Sequence, residues 1–147
     1  MKSYNIRIYG IFINEQNELL VTDEFRHGTE ITKFPGGGLE WGEGTIECLK
    51  REFREELNCE IEIVGHFYTT DFFQQSAFHS HHQLISIYYK VKVTEPLAIP
   101  ISKTKYDFEK TEGAQSFRWI SVSKITTDDF TFPIDQKVAV MLKNHSD

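Results

Sequence analysis

The sequence predicts an α/β fold in a single domain spanning residues 1–147. Three observations predict it: recurring stretches rich in β-branched and aromatic residues, one central stretch with apolar residues at helical spacing, and a second helical pattern near the end. No internal repeat, low-complexity tract or linker divides the chain. A chain of 147 residues is long enough to bury roughly two-thirds of its unfolded surface in one core.

The elements follow in order. Residues 4–13 alternate at first (Tyr4, Ile6, Ile8) and then run apolar (Ile11, Phe12, Ile13), as a strand entering a core does. Asn14 to Asn17 supply turn chemistry and Leu19, Leu20 and Val21 follow, so residues 4–24 read as a hairpin. The polar loop around His27 and Gly28 belongs outside. Lys33-Phe34-Pro35 then leads into Gly36-Gly37-Gly38, where another group can approach the backbone closely. From Thr45 to Leu57, Ile46, Leu49, Phe53 and Leu57 share a helical face, with Thr45 as N-cap and Asn58 as a left-handed C-terminal cap. Strands are expected in residues 60–73 and 83–93, with polar residues 74–82 between them. Two prolines in residues 94–100 interrupt the sheet, residues 116–122 form a short strand, and residues 134–143 close the chain as a helix.

The composition, 39% hydrophobic and 26% charged, is that of a globular protein rather than a disordered or fibrous one. A net charge of −6 without a Lys/Arg run argues against long nucleic acid as a partner. Cys48 and Cys59 form no C-x-x-C pair and point to a reducing compartment. MKSYNIRIYG has no basic segment ahead of a long apolar run, and no stretch is apolar enough to span a membrane, so a cytoplasmic location without membrane attachment is expected.

The chemistry concentrates on the central helix. Glu52, Glu55 and Glu56 share one patch through i,i+3 and i,i+4 spacing, and like charges so close destabilise a helix unless cations neutralise them. Oxygen-rich clusters suit Mg²⁺ or Mn²⁺. Arg51 can pair with Glu55 or with Glu43 and fix the carboxylates' orientation. A phosphate-cradling P-loop is excluded, because Glu43 follows Gly42 where that motif needs lysine.

From Gly37 to Cys59 the chain reads GGLEWGEGTIECLKREFREELNC, which resembles the Nudix box, G-x5-E-x7-R-E-U-x-E-E-x-G-U with U a bulky apolar residue. Gly37, Glu43, Arg51, Glu52, Phe53, Glu55 and Glu56 match at the required spacing, while Asn58 and Cys59 depart from it. The resemblance implies an α/β/α sandwich with a mixed sheet and metal-dependent hydrolysis of a phosphoanhydride in a nucleoside di- or triphosphate or other nucleotide-linked diphosphate. It implies Glu52 and Glu56 as metal ligands, Glu55 as a further ligand, a backbone carbonyl of Gly36 or Gly37 in the metal's shell, and Arg51 and Glu43 as supports. The stretch KTEGAQSFRWIS resembles the MutT-type branch and makes Glu112 the candidate extra carboxylate, with Glu109 its rival. Phe34 and Asp135 are candidate base contacts, with core packing the other reading of Phe34. Asp23-Glu24 stands where that branch often has basic residues, and Arg7, Arg26 and Lys33 are the substitutes for triphosphate contact.

Two readings remain beside the hydrolase. A non-catalytic nucleotide- or metabolite-sensing module would not need three clustered carboxylates, and a prenyl diphosphate isomerase would need a pocket cysteine that Cys48 and Cys59 do not supply. His79, His81 and His82 invite a zinc reading, although no cysteine or HExxH frame accompanies them. The expected partner is a small phosphorylated substrate, and family resemblance leaves a homodimer open.

Overall fold

The computed structural model describes residues 1–145, which form seven strands, two α-helices and two 3₁₀ turns. Backbone contacts gather them into two compact units, Met1–Phe12 with Pro35–Ile99, and Ile13–Phe34 with the chain from Pro100 onward.

The first unit holds β1 (Ser3–Phe12), β4 (Gly36–Gly38), α1 (Thr45–Leu57), β5 (Ile61–Thr69) and β6 (His82–Val93). Its sheet runs β4-β1-β6-β5 and is mixed: β1 is parallel to β6 from Ser3↔His82 to Phe12↔Val91, and the other pairings are antiparallel. Helix α1 packs on β4, β1 and β5 through the buried side chains Cys48, Leu49, Phe53 and Leu57. Gly10 in β1 makes this possible, since a Cβ there would lie 2.6 Å from the Phe53 ring.

In the second unit, β2 (Glu18–Arg26), β3 (Thr29–Lys33) and β7 (Gln115–Ser121) form an antiparallel sheet in the order β3-β2-β7. The 3₁₀ turns Val122–Lys124 and Thr127–Asp129 and helix α2 (Pro133–His145) follow. Leu19, Leu20, Val21, Ile125, Val138 and Ala139 are buried in its core. No helix among the described residues is long and apolar enough to cross a membrane.

Three expectations are corrected. Residues 4–24 are not a hairpin: β1 and β2 lie in different sheets, and only an isolated bridge joins Ile13 to Leu19. The hairpin is instead β2–β3, turned by His27 and Gly28 at φ 52° and 72°, the positive values a two-residue turn demands. The cap of α1 is Gly44, whose N–H donates to Glu47 at 3.0 Å, while Thr45 is helical and its hydroxyl meets Tyr89 at 2.7 Å. Ile46, expected on the apolar face, is exposed, and Cys48 takes part in that face instead. Asn58 does close the helix in the left-handed region, at φ 49°.

Candidate active site

Helical spacing puts Glu52, Glu55 and Glu56 on α1 beside Arg51, and Arg51 organises what surrounds it. Its guanidinium grips Glu43 through two hydrogen bonds, 2.9 Å from Nε and 2.7 Å from Nη2, the fork geometry that fixes a carboxylate in orientation as well as position. Nη1 donates to Glu52 Oε1 at 3.1 Å and to Glu55 Oε2 at 3.2 Å. Nη2 also reaches the Gly38 carbonyl at 3.2 Å, tying the helix to β4.

The electrostatics follow from this hub. The Arg51 hydrogen bonds, helped by the Glu40 backbone N–H, hold Glu43 down to about 2. Glu43 and then Glu52 push Arg51 upward, so its charge is permanent. Burial, then the Glu43 carboxylate, push the Cys48 thiol up to about 12.

Gly37 brings β4 against the acidic face: a Cβ there would lie 2.5 Å from the Glu52 carboxylate. The Glu52 side chain is 13% exposed and that of Glu55 57% exposed, with Glu56 half-buried on the same helix. Three hard-oxygen side chains next to a glycine-only backbone are a suitable donor set for a divalent cation. Among the described residues no three His, Cys, Asp or Glu side chains are already gathered around one point. Arg51 holds one oxygen each of Glu52 and Glu55, so a cation would draw these side chains together by rotation of the exposed Glu55.

The first unit thus brings together Gly36, Gly37, Glu43, Arg51, Glu52, Glu55 and Glu56. Phe34, Glu112 and Asp135 belong to the second. Phe34 is fully buried and stacked on Phe130, with ring centroids 4.6 Å apart, a packing role in that unit. Asp135 is buried in the first turn of α2, where a negative charge complements the helix dipole. Glu112 and Glu109 are both exposed in the loop before β7. Sequence reasoning missed four partners of Arg51: Glu52, the Gly38 carbonyl, Cys48 Sγ at 3.7 Å and Glu40 at 3.7 Å. Only Cys48, one helical turn before Arg51, had a signal in its spacing.

Asp23 and Glu24 lie inside the second unit rather than on its surface. Asp23 accepts hydrogen bonds from Arg118 at 2.7 and 3.2 Å and from Thr32 at 2.6 Å. Glu24 pairs with Lys33 at 3.1 Å and Arg26 at 3.2 Å, so both of these cations already have a carboxylate. Arg7, the remaining substitute, donates to the Tyr9 hydroxyl at 2.9 Å.

The model of the NUDIX domain matches residues 4–140. Among solved structures, a NUDIX hydrolase from Nitrosomonas europaea superposes with a TM-score of 0.70 at 16% identity, covering 98% of this chain and 90% of its own. A MutT protein from Methanosarcina mazei Go1 gives 0.64 at 19% identity, covering 99% and 96%. A MutT Nudix hydrolase from methicillin-resistant Staphylococcus aureus 252 gives 0.61 at 20%, covering 99% of both chains. At these identities the likeness concerns the fold. No curated protein matches the chain in sequence.

Proposed function

Since this chain belongs to the Nudix family, whose members hydrolyse pyrophosphate bonds and generally use divalent metal ions, we propose that its substrate is a nucleoside di- or triphosphate or another nucleotide-linked diphosphate. The observation that carries this reading is the Arg51 hub, which orients Glu43 through two hydrogen bonds while engaging Glu52 and Glu55 by one oxygen each, beside Glu56 on the same helix.

Glu52 and Glu56, with a backbone carbonyl of Gly36 or Gly37, would hold Mg²⁺ or Mn²⁺, and Glu55 would complete the set. When bound, the ion supplies positive charge that screens the diphosphate oxygens and acidifies water. Glu55, the most open of the three, accepts the proton of the attacking water. Arg51 and Glu43 act by positioning: the guanidinium fixes Glu52, and Glu43 fixes the guanidinium. Glu112 is the proposed outside carboxylate. Asp135 is the proposed base contact and the place where a test of specificity begins, since Phe34, the other candidate, is fully buried against Phe130 and fits its packing reading.

The experiment is release of phosphate or pyrophosphate in Mg²⁺ across a panel of nucleotides and sugar diphosphates, repeated with Glu56→Gln. Mg²⁺-dependent turnover of at least one nucleotide, lost in the variant, is expected. Absence of turnover on the whole panel, or a variant as active as the parent, overturns the reading.

A further inference from the structure

We propose that a cleft between the start of β1 and the loop entering β6 is a second binding site, for a small phosphomonoester that carries a planar ring. Its residues are distinct from those of the carboxylate helix, and the inference does not depend on the reaction assigned above.

The cleft has a volume of about 320 Å³, within the range of small-molecule sites of roughly 300–1,000 Å³. In a chain with 22 acidic and 16 basic residues, no acidic side chain lines it. Lys2, His81 and His82 line it instead, with the hydroxyls of Ser3 and Ser80. This local reversal of the protein's overall charge favours an anion. Among the described residues the Lys2 ammonium has no ion-pair partner. Nδ1 of His82 is buried without a hydrogen bond, so the ring at the cleft wall carries an unmet polar atom. Burial, then the neighbouring His81 and His79 rings, push His82 down toward its neutral form, and a bound anion opposes all of these effects.

Beside the polar groups, Tyr4 is 67% and Phe73 68% exposed, two flat aromatic surfaces at the same cleft. They give a planar ring somewhere to stack while its phosphate meets Lys2 and His82. The walls are held by backbone hydrogen bonds: Ser3 N–H donates to His81 at 3.0 Å, Ser76 N–H to His82 at 3.0 Å, and Leu84 N–H to Gln74 at 2.8 Å. A transition-metal site on the three histidines fits less well. Their ring centroids are 4.2 to 6.1 Å apart, yet they are not gathered around a common point.

The test is NMR titration of the full chain in EDTA, which leaves the carboxylate helix without a cation and repulsive to phosphate. Inorganic phosphate, adenosine and AMP serve as probes, followed at the His81 and His82 ring resonances and the Ser3 and Gln83 amides. AMP is expected to shift these signals and to bind about tenfold more tightly than either phosphate or adenosine. Lys2→Ala and His82→Asn should each weaken AMP binding by about tenfold while leaving nucleotide hydrolysis unchanged. Lys2 is exposed, so its variant reads binding free of any folding defect. The proposal is overturned by adenosine binding as tightly as AMP, by shifts confined to the Gly37 and Glu52 amides, by AMP affinity unchanged in Lys2→Ala, or by a response to Zn²⁺ with none to phosphate.

Discussion

The Arg51 hub and the Asp23–Glu24 network are built from the same residue types and differ in how their charges close. In the network the two carboxylates, at most 2% exposed, face two buried cations, Arg118 and Lys33, one each, while Arg26 reaches Glu24 from the exposed rim. In the hub Glu40, Glu43, Glu52 and Glu55 lie within 4 Å of one arginine, leaving three negative charges in excess, with Glu55 open to solvent. The first is a closed set whose members satisfy one another, as buried ions must. The second stays unbalanced, which solvent screening tolerates because Glu40 and Glu55 are exposed. The buried pairs of the network are matched, and the surplus of the hub is the feature on which the proposed chemistry rests.

The largest effect should come from breaking the closed set. Asp23→Ala strands Arg118 in the interior and should cost about 3–5 kcal/mol, read from urea denaturation. The double change Asp23→Leu with Arg118→Leu should recover most of that loss, and a single variant as stable as the parent would show the network is not closed. The hub should behave in the opposite way. Glu52→Gln should lower hydrolysis by about 100-fold or more while shifting unfolding free energy by less than about 1 kcal/mol. Arg51→Lys keeps the charge but loses the fork to Glu43, so a drop of about 10–100-fold in kcat is expected, largely independent of substrate concentration.

Acid should erode both clusters. Glu43 is held at about 2 against a usual 4.5, so its contribution to stability is present above about pH 4.5 and fades as pH falls toward 2. Burial raises Glu24, but Lys33 and Arg26 outweigh it and leave it below its usual value, so it acts in the same direction. A melting temperature that declines over this window, less steeply in Glu43→Gln, is the expected result. The smallest effect concerns Cys48: buried and pushed up to about 12, it should stay unmodified by a disulfide reagent at pH 8 until the chain is unfolded.

The local layout of the candidate site and part of the fold were legible in the sequence. Helix α1 was readable because its period, the box spacing and the left-handed tolerance of Asn58 are local properties. The β1–β2 hairpin was misread because alternation reports that a strand exists and is silent about its partner, which for β1 is the parallel β6. Strand β3 escaped because Thr29-Glu30-Ile31-Thr32-Lys33 is mostly polar, although its last three residues are buried. Asp23 and Glu24 were read only as acids where basic residues were expected, and their burial was not legible because Arg118, which pairs with Asp23, lies 95 positions away. A nearby hint was that, with Thr22 between, they continue the apolar run Leu19-Leu20-Val21.

The parallel pairing of β1 and β6 also bears on how the protein is made. Ser3 must wait for His82 to find its neighbour, so one edge of β1 gains its partner β6 79 positions later, while β4 pairs with the other edge much sooner. At translation rates of about 5–20 residues per second, its unpaired edge is exposed for several seconds. During that interval it is a natural client for chaperones, and pairings so distant place refolding on the millisecond-to-second scale rather than the microsecond scale.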